Sequence, residues 1–159
     1  MDEIDAKIVS DIEEHGWHVI KVFADESGPA FAYSVGLFQT FKHPEILIVG
    51  LGLDTMHQII NDIGSEVKEG KTFQHGCQYG DILDGYECAF REVLSEYYRQ
   101  LFGCAISHYG GFDFPVVQCV WPDRERRFPW DPDCVAEIRR DQRTYSAPAS
   151  KGTDLSWRS

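Results

Sequence analysis

The chain has 159 residues, 43% hydrophobic and 13% aromatic, the composition of a folded domain able to bury one core; this excludes a disordered protein. Its net charge of −11 is uneven: eight acids and two bases in residues 1–30, eleven and five in 31–120, seven and eight in 121–159. That balance disfavours non-specific binding to nucleic acid or an anionic membrane, and it suits either solubility or a basic protein partner.

Ile4, Ile8 and Ile12 recur every four residues behind Asp2, Glu3 and Asp5, which predicts an amphipathic first helix stopped by Gly16. Residues 17–24 read as a strand, "DESGP" as a turn, and residues 30–37 as a second strand antiparallel to the first. In that second strand Phe31, Tyr33, Val35 and Leu37 are large, whereas Ala30, Ala32, Ser34 and Gly36 on the opposite face are small. Something must lie close to the small face, either a packed helix or a bound ligand or partner.

"FQTFKH" reads as a loop, and residues 46–49, apolar on both faces, as a central strand covered on both sides. Asp54 is placed to cap a second helix in which Met56, Ile59, Ile60, Ile63 and Val67 share one face, ended by Gly70. A glycine-rich loop through His75, Gly76 and Gly80 precedes a strand over 86–94. Ser95 then starts a helix with Tyr98, Leu101, Phe102 and Ala105 on its inner face, broken at Gly110 and Gly111. "FPVVQCVW" is a strand, "PDRERRFPWDPD" a proline-punctuated loop, and Asp133 the cap of a short helix to Arg140. The expected order is α-β-β-β-α-β-α-β-α: one α+β domain over residues 1–145, with a largely antiparallel sheet and flanking helices, and a flexible arm over 146–159.

Five cysteines without C-x-x-C spacing, and no charged-then-apolar opening segment, point to reduced thiols in a cytoplasm. Apolar runs such as "ILIVGLGL" fall far short of the about 20 residues that span a bilayer. His15 and His18 lack the helical spacing of a two-histidine metal site, so they read as structural or surface residues and no metal is expected. His43-Pro44-Glu45 sets an imidazole and a carboxylate at the entrance to the central strand, with the alternative that His43 hydrogen-bonds a loop carbonyl and Glu45 pairs with Lys42. Gln118, Trp121, Asp123 and Trp130 form a second group, in which the indoles are able to stack on a planar ligand or simply to seal the core. The two groups are expected to approach one another as one pocket, and Tyr33 and Ser34 are further ligand- or partner-binding candidates. The arginines at 124, 126, 127, 139, 140 and 143 are interleaved with acids and read as self-neutralising surface pairs. No nucleophile signature or phosphate-binding glycine loop is present.

Two blocks, "GWHVIKVFAD" with "FAYSVGL" and "HPEILIVGL", then "QCVWPD" with "FPWD", together resemble the bacterial family catalogued as domain of unknown function 4262, over roughly residues 5–143. Against that pattern the chain carries Ser34 where Thr is usual, Arg126 and Arg127 where a glycine turn precedes Phe-Pro-Trp, and "DQRTY" at the end. The resemblance names no activity. Small size, acidity and the absent catalytic signature lead to the expectation of a non-catalytic interaction module, an immunity-like binder of a basic protein. The rival is a small ligand- or cofactor-binding enzyme, for instance a flavin protein, since consecutive strands followed by a helix are similar to a flavin-binding split barrel.

Overall fold

The computed structural model describes residues 3–83 and 85–147, so the arm expected over 146–159 lies almost wholly outside them. Helix α1 spans Glu3–His15 with Glu3 and Asp5 in its first turn. Ile8 is buried and Ile12 partly so, but Ile4 is 56% exposed, so the apolar stripe is shorter than its spacing predicts. Strand β1 (His18–Val22) turns through an Asp25–Gly28 bridge into β2 (Phe31–Val35), paired antiparallel as expected.

The segment read as a loop after β2 is a five-residue helix, α2 (Leu37–Phe41). It escapes periodicity because it is barely more than one turn, and its start depends on Gly36 at φ 116°, where a side chain would also run into Ile12 and the Gly16 carbonyl. Strand β3 (Glu45–Val49) is buried at every position. Helix α3 (Leu53–Lys68) buries Met56, Ile59, Ile60, Ile63 and Val67 as predicted, each isoleucine worth about 1.5–3 kcal/mol of transfer free energy. Its N-cap is Gly52; Asp54 sits inside the first turn and caps nothing.

Strand β4 (Gln78–Leu83) runs where the sequence reads as a glycine-rich loop, and it pairs with β5 (Tyr86–Glu92) across an irregular register. The single helix expected from Ser95 is three pieces: a 3-10 turn at Ser95–Tyr97, α4 (Tyr98–Leu101) and α5 (Gly103–Tyr109). Its predicted inner face is nonetheless buried throughout. Strand β6 (Val116–Val120) follows, and α6 (Ala136–Asp141) starts after Val135 rather than at Asp133.

The strands form one open sheet in the order β1-β2-β3-β6-β5-β4, all antiparallel except the central β3–β6 pair, where Glu45 aligns with Val116 and Leu47 with Gln118. Helices cover both faces of this sheet. On one face Ala32, Ile46, Ile48, Phe90 and Cys119 pack with α3. On the other, Tyr33, Val35, Leu47 and Val116 pack with Ile8 of α1, with α4 and α5, and with Tyr145. The small residues of β2 thus have a helix above them: Ala32 is fully buried within the α3 cluster.

Candidate functional site

The fold places the residues singled out in the sequence at separate points. At the start of β3, Glu45 is fully buried and its two oxygens take hydrogen bonds from Ser34 Oγ (2.7 Å), the backbone N–H groups of Gly36 (2.9 Å), Leu37 (3.2 Å) and Phe38 (3.2 Å), and the Tyr109 hydroxyl. Burial pushes this carboxyl above its ordinary pKa, against the pull of those hydrogen bonds. Ser34 Oγ in turn accepts the Ile46 N–H at 2.9 Å. Beside them, His43 Nε2 accepts the Phe73 N–H (2.9 Å), which leaves Nδ1 protonated and donating to the Pro44 carbonyl (2.8 Å). Burial pushes the His43 pKa down, consistent with a neutral ring. The Tyr33 hydroxyl accepts the Cys104 N–H (3.3 Å) at the start of α5.

The second group lies toward the other end of the strands. Because β3 and β6 are parallel, His43 and Pro44 precede one end of that pair and Trp121 and Asp123 follow the other, with Gln118 opposite Leu47 between them, so the composite site expected from sequence does not assemble. Trp121 Nε1 donates to the Val49 carbonyl (2.8 Å) at the far end of β3. Its indole belongs to the α3 face of the sheet, whereas Trp130 belongs to the opposite face, stacked on Phe128 and lying 4.0 Å from the Arg91 guanidinium carbon. The two indoles therefore cannot sandwich one ligand. Gln118 donates to the Arg143 carbonyl (2.9 Å) and accepts the Tyr145 N–H (3.0 Å). Asp123 accepts the N–H groups of Glu125 (2.8 Å) and Arg127 (2.9 Å) and the Arg127 Nε (3.2 Å), tying the 123–127 turn. Burial raises its carboxyl, but these bonds outweigh that and hold it below the usual carboxylate range. Of the arginines, Arg127 pairs with Asp123 and Arg140 with Asp141, while Arg126, Arg139 and Arg143 bond loop carbonyls.

Among the concave surfaces of the described residues, two lie beside the edge strands β4 and β1. One, about 800 Å³, lies beside the β4–β5 hairpin between Asp81, Leu83, Tyr86 and Phe128. The other, about 650 Å³, opens between α1 and α3 above edge strand β1. In it, Asp11 of α1 takes Lys7 Nζ at 2.8 Å and His18 Nδ1 at 2.6 Å. Burial raises Asp11, yet the bonds from Lys7 and His18 prevail and hold its carboxyl below the usual range. An ionised Asp11 requires the proton on His18 Nδ1, so Nε2, which bonds nothing among the described residues, is the ring atom left for other chemistry. Facing it, α3 presents His57, Asn61, Ser65 and Lys68 along one side. Asn61 accepts the Trp17 Nε1–H at 3.0 Å, which turns its NH₂ group elsewhere. An imidazole backed by a carboxylate in a cleft is the arrangement by which a histidine accepts or delivers a proton.

This cleft is the constellation that reading the sequence missed. His18 appeared without a partner because Asp11 reaches it across the end of a helix, a junction with no fixed spacing, yet 57, 61, 65 and 68 do follow the helical period opposite the core face of α3. Among the described residues, no three His, Cys, Asp or Glu side chains are grouped to hold a metal ion, and no helix is long and apolar enough to cross a membrane.

Fold and clefts define an α+β domain in which Gln118 and Asp123 bond chiefly to the backbone and two of the concave surfaces lie beside the edge strands. The model of the family described as Domain of unknown function (DUF4262) matches residues 11–135, and the chain belongs to that family. Neither a curated protein nor a solved structure matches it.

Proposed function

We propose that the protein is a non-catalytic interaction module that engages a partner with a basic surface, in the manner of an immunity protein. The observation that carries this reading is the exposure of Glu3, Glu13 and Glu14 on α1 and of Asp25 and Glu26 in the β1–β2 turn, in a chain of net charge −11. Such a field accelerates encounter with a cation-rich surface and is screened over about 8 Å at physiological ionic strength. The hydrogen bonds of Glu45, Gln118 and Asp123 add support, since groups that are bonded internally serve architecture.

The test is to identify the partner from native lysate and measure its association rate at two salt concentrations. The rate is expected to fall with salt, and Glu13→Lys with Glu14→Lys to slow association about tenfold with an unchanged melting temperature. A partner whose association ignores both salt and charge reversal overturns the reading. A purified protein that carries a coloured cofactor, or turns over a reducible substrate, replaces it with the enzyme.

A further inference from the structure

The α1–α3 cleft is richer in basic side chains than the molecule around it. Lys7, Lys21 and Lys68 line it against the single carboxylate of Asp11, and His15, His18 and His57 line it too, in a protein whose net charge is −11. Lys7 is paired with Asp11, Lys21 with the exposed Asp54 at 3.9 Å and His15 lies 3.6 Å from Glu14, whereas Lys68 has no ion-pair partner among the described residues. Hydrogen-bond donors stand ready beside it: the Asn61 NH₂ group, fixed by the indole on its oxygen, the Ser65 hydroxyl and the His57 ring. Bringing several cations and imidazoles to one concavity costs repulsion. His57 is held below its ordinary pKa chiefly by burial, with Lys21 and then His18 adding to that and Asp54 opposing it.

Core packing does not account for this grouping, because the apolar residues of α3 lie on its other side. A bound dianion relieves the repulsion and satisfies donors that come from both β1 and α3, as a tetrahedral phosphate does more fully than a planar carboxylate. We infer that the cleft is a binding site for a phosphate group, held by Lys68, Asn61, Ser65 and His57 along α3 and by His18 from β1. The volume of about 650 Å³ admits a phosphorylated small molecule as well as free phosphate.

The proposal is separate from the protein partner, because its ligands are Lys68, Asn61, Ser65, His57 and His18 and none of them is an acid of α1. Its test is a titration of the full chain with inorganic phosphate at constant ionic strength, following the imidazole resonances of His18 and His57, and in a second arm with glycerol 3-phosphate. Saturable shifts at both rings are expected, with binding roughly tenfold weaker in Lys68→Gln and in His57→Gln. Tighter binding of the monoester assigns an organic phosphate; equal binding assigns the free ion. Shifts that never saturate, that chloride reproduces, or that survive undiminished in both folded variants overturn the proposal. Should either variant fail to fold, Ser65→Ala takes its place under the same criterion.

Discussion

Glu45 shows how one side chain organises a junction. Its carboxylate replaces the partners that the first N–H groups of α2 would otherwise lack, and it ties α5 to the sheet through Tyr109. Glu45→Gln keeps the size but offers an N–H₂ to groups that donate, so we expect a loss of about 1–3 kcal/mol for each buried donor left unpaired, read from a urea midpoint. Tyr109→Phe, which removes one link, is expected to cost about 1 kcal/mol in the same titration. The pH dependence has a definite sign. Burial raises the Glu45 pKa, so its contribution to stability is present below the ordinary value of 4.5 and is lost as pH rises through the folded value. Glu45→Gln abolishes that component in melts run across acidic pH. Asp11 and Asp123, both held low, act oppositely and lose their contribution as pH falls. His43-Pro44-Glu45 stands out in the sequence for the proline between two titratable groups, but its partners do not: Glu45 bonds Ser34, the 36–38 backbone and Tyr109, 64 positions away, and not the neighbouring Lys42 that the sequence offers.

At the scale of elements, legibility followed length and repetition. Helix α3 declares itself through five apolar residues at helical spacing, and β3 through a run apolar on both faces. Helix α2 and strand β4 do not, the first too short to repeat and the second carrying Gly80 and Asp81 at φ 64° among half-exposed residues. Within α3, Gly64 is the informative position. Helix propensity alone gives Gly64→Ala a gain of up to about 1 kcal/mol. A Cβ there, however, would lie 2.6 Å from the Trp17 ring, which is anchored to Asn61. We expect the clash to win, with a net loss of about 1–3 kcal/mol in denaturant unfolding and a change in Trp17 fluorescence. A more stable variant would show that Trp17 is free to move aside.

Across the whole molecule the chain after α6 returns over the sheet as a latch. Gln142 accepts the Trp121 N–H (2.8 Å) and donates to its carbonyl (2.6 Å), Gln118 holds residues 143 and 145, and Leu94 N–H reaches the Tyr145 carbonyl (3.0 Å). Gly50, at φ 90°, leaves only 2.3 Å between a built Cβ and the Asp141 carbonyl, so the latch passes where no side chain fits. Gln142→Ala is expected to cost about 2–4 kcal/mol by leaving both backbone groups of Trp121 unpaired, and hydrogen exchange at the Trp121 amide is the direct readout. None of this was readable from residue types: "DQRTY" stood out only as a departure from a pattern, and the side chains of two glutamines do here what a strand's backbone usually does.

The parallel pairing at the centre of the sheet also bears on how the chain finds its fold. β1-β2-β3 and β4-β5-β6 are each sequential antiparallel meanders, and the sheet joins them only where residues 45–47 meet 116–118. Pairings within the meanders span at most about 30 residues, as from Ala89 to Val120, while the seam must close a loop of about 70 and repays that entropy late. The slow step of folding therefore belongs to the seam. Truncations there, such as Val116→Ala, should retard refolding, whereas those in the β1–β2 hairpin should chiefly hasten unfolding.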